Sequence, residues 1–266
     1  MKKKLIQGID HDIYNPEHNI YNIVVKSNQL IQESRFDLSM QQQKIVLYII
    51  SQIEPSDEEF KLYQFKITDF CAVCGIEPKG DNYNMLKNAI QSIVNKSIWI
   101  TLPNGKETTV KWIEKPYIDR NSGTIEIKLD NDMKPYLLQL KEKFTAYELI
   151  YTLNFKSKYS IRLYEYLKSI HYNKFEEYST LISIDNFQKL LNSSYTDFKD
   201  FHSRVLKPAF KEINQYSDIN FSYEIMKNGR KATDILLTIS TKEVVERAQT
   251  VSEVARALQK QRKKKG

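Results

Sequence analysis

The stretch "HSRVLKPAFKEIN", residues 202–214, has an earlier twin in "NYNMLKNAIQSIV", residues 82–94. At an offset of 120 positions, Leu86, Lys87, Ala89 and Ile93 align with Leu206, Lys207, Ala209 and Ile213, and Ile90 aligns with Phe210. In both copies apolar residues recur at three- and four-residue spacing, the period of a helix that buries one face. The second copy is the more basic.

The surroundings of the twins repeat too. Ahead of the first lies "DLSMQQQKIVLYIISQI" (37–53), which places Ile45, Val46, Ile49, Ile50 and Ile53 on one helical face, with Ser39 and Gln42 spaced as a capping box. "FKITDFCAVCGI" (65–76) then reads as a short strand and a short helix. Ahead of the second lies "KSKYSIRLYEYLKSI" (156–170), a helix with Tyr159, Leu163, Tyr166, Leu167 and Ile170 inward. "LISIDNFQKLL" (181–191) follows, and its "IDNF" matches "ITDF" at 67–70. After each twin comes a hairpin signalled by Asn-Gly, at Asn104-Gly105 and at Asn228-Gly229. A further hairpin is expected at "DRNSG" (119–123), leading into "TIEIKL" (124–129), where Ile125, Ile127 and Leu129 alternate as in a half-buried strand. That strand is a candidate edge for a dimer.

Landmarks recurring in order at offsets of 117 to 124 residues indicate an internal duplication. Helix, strand, helix, helix and hairpin is the order of a winged helix. The expected fold is therefore α+β, with two tandem winged-helix domains. The divisions are a flexible N-terminal arm (1–20), a first winged helix (21–142), a second (143–240), and an amphipathic C-terminal helix with a basic tail (241–266). In that last segment Val244, Ala248, Val251, Ala255 and Leu258 form an apolar stripe, and "KQRKKK" closes the chain.

The last helix of a helix-turn-helix unit is the one that enters the DNA major groove. In the second copy Phe201, Val205, Leu206, Ala209, Phe210 and Ile213 face inward, leaving Lys199, His202, Ser203, Arg204, Lys207 and Lys211 as candidate DNA contacts. Arg can grip guanine with two hydrogen bonds, while Lys, Ser and His can reach phosphates or base edges. The plainer alternative is a solvated basic face. Pro208 interrupts this helix and predicts a kink or short break near Arg204. The adjoining hairpin tip adds Lys227, Asn228, Arg230 and Lys231, suited to a minor groove or to phosphates. In the first copy the candidates are Lys79, Asn82, Asn84, Lys87, Asn88 and Gln91, with Lys106 at the hairpin tip. Asn and Gln can read adenine, and are equally ordinary surface residues.

The 266 residues carry 40 Lys and Arg against 33 Asp and Glu, a net charge of +7 that permits an anionic partner without requiring one. Seven glycines argue against glycine-rich phosphate loops, and in "GIEPKGDN" (75–82) Asp81 and Asn82 stand where a Walker motif needs Lys and Ser or Thr. Cys71 and Cys74 have no second Cys or His pair at zinc spacing, so they read as buried thiols in a reducing cytoplasm. Tyr159, Tyr164 and Tyr166 could stack on single-stranded bases, but their helical spacing suits core packing better. His11, His18, His171 and His202 form no metal-binding pair beside a nucleophilic tyrosine, and no acid cluster suits two-metal catalysis. No enzyme, cofactor, metal or membrane segment is expected.

"VVKSNQLI" (24–31), "DLSMQQQKIVLYIISQI" and "RVLKPAFKEIN" (204–214) with a basic wing resemble the initiator replication proteins of theta-replicating iteron plasmids, over residues 21–240. The resemblance implies double-stranded DNA as the partner, with repeated origin sequences (iterons) bound by a monomer. It assigns the major-groove role to 199–211, with Arg204 and Lys207 foremost, and gives the first domain backbone contacts and dimerisation. It also implies origin melting, recruitment of host initiator and helicase, and a homodimer in equilibrium with monomer that represses the protein's own gene. A winged-helix transcription regulator with no role at an origin is the alternative.

Overall fold

A computed structural model describes residues 20–74, 81–119, 121–172 and 176–263, with side chains except those of 72–74, 81–82 and 261–263. The N-terminal arm to residue 19, Lys79, the side chains of Asn82 and Cys74, and the basic end of the tail lie outside the described residues.

Two winged-helix units follow one another. The first opens with β1 (Ile23–Ser27), α1 (Asn28–Gln32) and β2 (Ser34–Arg35). Its three core helices are α2 (Met40–Ile50), α3 (Ile67–Cys74) and α4 (Asp81–Val94), with β3 (Leu62–Lys66) leading directly into α3. Four strands follow: β4 (Ser97–Thr101), β5 (Glu107–Lys111), β6 (Ile113–Asp119) and β7 (Thr124–Leu129). A short helix α5 (Lys134–Leu137), strand β8 (Phe144–Glu148) and a turn α6 (Ile150–Leu153) make the connection. The second unit comprises α7 (Lys158–Ile170), β9 (Tyr178–Ser183), α8 (Ile184–Leu190), α9 (Phe198–Phe201), α10 (Lys207–Tyr216), β10 (Ile219–Asn228) and β11 (Lys231–Thr241). Helix α11 (Val244–Lys263) ends the described chain.

The local signals act where they were read. Ser39 accepts from the Gln42 backbone N–H at 3.3 Å while the Gln42 side chain accepts from the Ser39 N–H at 2.9 Å, closing the capping box. Gly105 and Gly229 supply positive φ, +79° and +62°, at the two Asn-Gly turns. Cys71 is buried and unpaired, and burial pushes its thiol up to about 11.

Strand pairing revises the correspondence of the hairpins. In the second unit the sheet order is β10-β11-β9; in the first it is β3-β7-β6. The strand that feeds the second helix pairs in each case with the last wing strand: Ser183 with Asp234, and Lys66 with Thr124. The true counterpart of the β10–β11 wing is therefore β6–β7, turning at Gly123 (φ +66°), not the hairpin at Asn104-Gly105. The β4–β5 hairpin is an insertion between third helix and wing, and it pairs with β2 in a separate sheet. An Asn-Gly signal reports a tight turn and is silent about which strand the hairpin joins. The same topology removes "TIEIKL" as a dimer edge, because β7 is hydrogen-bonded on both sides. Its alternation is as expected, with Ile125, Ile127 and Leu129 buried.

The units share one apolar core and are joined by a polar seam. Strand β8 pairs antiparallel with β1, returning the connection to the start of the first unit. Helices α2 and α7 are buried on more than their apolar faces, so Gln42, Gln43, Lys44, Arg162, Glu165 and Ser169 are all enclosed. On α7, Tyr159, Leu163 and Leu167 are buried as expected, but Tyr166 and Ile170 are only partly so, and Tyr164 is fully enclosed, donating to Asp218 at 2.7 Å. These tyrosines are packing residues. On α11 the buried row is Val251, Val254 and Leu258, with Asn154 donating to the Val254 carbonyl. Val244 is 68% exposed and Ala248 is exposed, so the expected stripe shifts by part of a turn toward the face that meets α6 and α10.

Candidate nucleic-acid interface

The third helix of the second unit is built in three pieces. Asp197 caps its start, accepting from the backbone of Lys199 at 2.8 Å and Asp200 at 3.2 Å. Helix α9 then passes through one π-helical turn (His202–Leu206) into α10, with Pro208 in the first turn of α10. Pro208 has no N–H for the carbonyl four residues back, and its ring would strike that carbonyl in a regular α-helix. The wider turn immediately before it absorbs both problems, so the expected break takes the form of a π-bulge.

Phe201, Val205, Leu206, Ala209 and Ile213 are buried beneath this helix. Lys199, Ser203, Arg204, Lys207 and Lys211 are exposed, at the spacing that keeps side chains on one side of a helix. The Arg204 guanidinium lies 5.8 Å from the Tyr195 ring, and its Nε donates to Asp200 at 3.4 Å. Both groups of that pair are open to solvent, so the contact holds the arginine weakly and leaves it available to a stronger acceptor.

Phe210 departs from expectation, and His202 has a partner within the protein. Phe210 is 38% exposed rather than inward, wedged against Phe221 and Tyr223 at the helix rim. His202 is half-buried, stacked on Phe198, with Nε2 3.0 Å from the Tyr223 hydroxyl. Burial, aided by the Lys207 charge, lowers its pKa. The imidazole thus ties the π-turn to strand β10. Tyr223, 21 residues away in sequence, carried no local signal for this tie.

The wing stands beside this helix. Lys227, Asn228, Arg230 and Lys231 are all exposed around its tip, where the register shifts between Met226 and Lys227. A concavity between the wing and the start of the third helix is lined by the basic residues Lys227, Arg230 and Lys231, by Gln188 and Thr196, and by the acids Asp185 and Asp197.

The first unit is arranged differently. On α4, Leu86, Ile90 and Ile93 are buried, and Asn84, Lys87, Asn88 and Gln91 are exposed. Lys106 is exposed at the tip of the inserted β4–β5 hairpin, so it is not a wing residue. The wing proper ends in Asp119, whose carboxylate accepts from the Ser122 hydroxyl at 2.7 Å and the Asn121 N–H at 2.8 Å. Those bonds, the Ser122 hydroxyl first, hold it below the usual carboxylate range. Among the described residues no group of three or more His, Cys, Asp or Glu could hold a metal, and no helix is long and apolar enough to cross a membrane.

Family models match both units: "Initiator Replication protein, WH1" over residues 23–168 and "Initiator Rep protein, WH2" over residues 183–239. A "Replication initiation protein" of Escherichia coli is 30% identical over 223 residues, spanning 81% of this chain and 68% of that protein. The Escherichia coli "PI protein" is 28% identical over 143 residues, 47% of this chain and 46% of its own length. Among solved structures, a Pi initiator protein in complex with iteron DNA superimposes with a TM-score of 0.69 at 20% identity, covering 84% of this chain and 99% of that one. At that identity the likeness speaks for the fold.

Proposed function

The chain belongs to the initiator replication protein family, and on that premise we propose that it serves an iteron plasmid and binds repeated double-stranded origin sequences, one molecule laying both units along one repeat. The observation that carries this reading is the exposed basic face of the second unit's third helix, set beside a basic wing tip. Arg204 and Lys207 are the foremost readers of base edges, with Lys199, Ser203 and Lys211 around them. Lys227, Asn228, Arg230 and Lys231 hold the flanking backbone. His202 acts through Tyr223 instead of touching DNA. In the first unit Asn84, Lys87, Asn88 and Gln91 add weaker, largely uncharged contacts.

On this reading the units divide near residue 142, and the segment after β11, which ends at Thr241, is an appendage to the second unit. The chemistry is non-covalent: binding in the cytoplasm, origin melting, recruitment of host initiator and helicase, and repression of its own gene by a dimer. The family resemblance supports these later steps.

Nuclease footprinting upstream of the protein's own gene, across a range of protein concentrations, tests the reading. A ladder of evenly spaced protected repeats is the expected result. A single protected palindrome over the promoter, with no repeats nearby, would overturn it in favour of a plain repressor.

A further inference from the structure

Arg162 of α7 is only 5% exposed, and it sits where the units meet. Its Nη2 faces three backbone carbonyls: Ser34 at 2.9 Å, Leu190 at 3.2 Å and Ile31 at 3.4 Å. Two of these belong to the first unit and one closes α8 of the second. The guanidinium also lies 4.4 Å over the ring of Phe36, again in the first unit. One turn further along α7, Glu165 receives Lys26 of β1 at 2.6 Å and the Tyr147 hydroxyl. Near the end of the helix, Asn28 donates to the Ser169 carbonyl and accepts from Thr145.

Two buried cations against one buried anion make a costly way to glue surfaces together, since apolar residues of similar volume would do as well or better. What they add is direction. An apolar seam tolerates sliding, whereas a planar guanidinium aimed at fixed carbonyls does not. The carbonyls are also well placed. Ser34 lies in β2, which carries the inserted hairpin, and Leu190 ends the helix that precedes the basic third helix.

We propose that Arg162 is a positioning residue that locks the angle and separation of the two winged helices, and so sets the base-pair spacing that one molecule accepts. The proposal rests on the reading that both units engage one duplex site. Rigid linkage raises affinity only while both modules reach their targets together, and it is lost when the geometry forbids simultaneous engagement.

The test uses full-length protein and fluorescence anisotropy on the footprinted repeat, on random DNA, and on repeats with one or two base pairs inserted between the segments covered by the two units. Wild type should lose about 100-fold in affinity on the inserted sites. Arg162→Met keeps an apolar stem over Phe36 but removes the donors; it should lose only about threefold relative to its own uninterrupted repeat. Should Arg162→Met fail to fold by circular dichroism, the seam's rim carries the test. Asn192 donates to the Phe36 carbonyl at 3.2 Å and Lys158 pairs with Asp37 at 2.8 Å. Asn192→Gly, which suits the φ of +46° there, combined with Lys158→Ala should relax the penalty part-way. Folded variants that keep the full penalty, or a wild type with no penalty, overturn the clamp alone. A wild type that does not prefer the repeat over random DNA overturns the duplex reading beneath it.

Discussion

On α4 the exposed positions Asn84, Lys87, Asn88 and Gln91 carry one positive charge; on the third helix of the second unit, Lys199, Arg204, Lys207 and Lys211 carry four, against the one acid Asp200. Beneath these faces the helices are nearly the same, Leu86 and Ile93 standing where Leu206 and Ile213 stand, all buried. The wings diverge likewise: Lys227, Arg230 and Lys231 surround one tip, while the other turn, residues 119–123, carries one basic residue, Arg120, against the bonded carboxylate of Asp119. Packing constrains the inner face of a duplicated unit to a few apolar volumes, and solvent leaves the outer face free.

The largest expected effect separates the two third helices. Arg204→Ala should cost about 1–3 kcal/mol on the specific repeat and relax base preference, as loss of a bidentate base contact does. Lys87→Ala should cost under about 1 kcal/mol and do so equally on repeat and random DNA. Anisotropy titrations on both DNAs measure the two. Equal losses from Arg204→Ala on repeat and random DNA would remove its assignment as a reader and with it the asymmetry between the units.

A smaller effect separates the hairpins. Lys231→Ala at the second wing should lower the slope of log affinity against log salt by about one. Lys106→Ala should leave that slope unchanged, because its hairpin is an insertion paired with β2. A matching drop for Lys106→Ala would put the inserted hairpin on the DNA and make it a wing in function, whatever its topology.

Much of this was legible in the sequence, for identifiable reasons. The third helices announce themselves because a face buried against its own unit leaves a 3.6-residue period, and Ser39 with Gln42 marks a helix start within four residues. The misreadings share one cause, dependence on partners distant in the chain. Asn104-Gly105 and Asn228-Gly229 are equally good turns, and only pairing with β2 or with β9 tells insertion from wing. "TIEIKL" alternates as edge and central strands both do. Arg162 and Glu165 look like surface residues on a helical wheel, and are buried because the first unit packs over them. Phe210 falls on the inward face by helical period, whereas ring contacts with Phe221 and Tyr223 hold it at the exposed rim.

The smallest effect concerns pH and belongs to the second unit alone. His202 is tied to Tyr223, and its counterpart 120 residues earlier is Asn82, which does not titrate. Burial first, then Lys207, lowers the histidine's pKa from the ordinary 6.5, so between that value and its folded pKa the unfolded chain binds more protons than the native one. The stability owed to neutral His202 is therefore complete above pH 6.5 and is lost as pH falls through the window below it. A protonated imidazole must donate to the Tyr223 hydroxyl and sits against the Lys207 charge, loosening the helix from β10. The added positive charge simultaneously favours any phosphate, so the informative quantity is the ratio of specific to random binding. Between pH 7.5 and about 5.5 that ratio should fall in wild type. His202→Gln keeps a neutral donor and acceptor near Tyr223 and should flatten the profile, while the other three histidines remain in place. An undiminished fall in that variant would show that the pH dependence arises elsewhere and that His202 does not couple helix to wing.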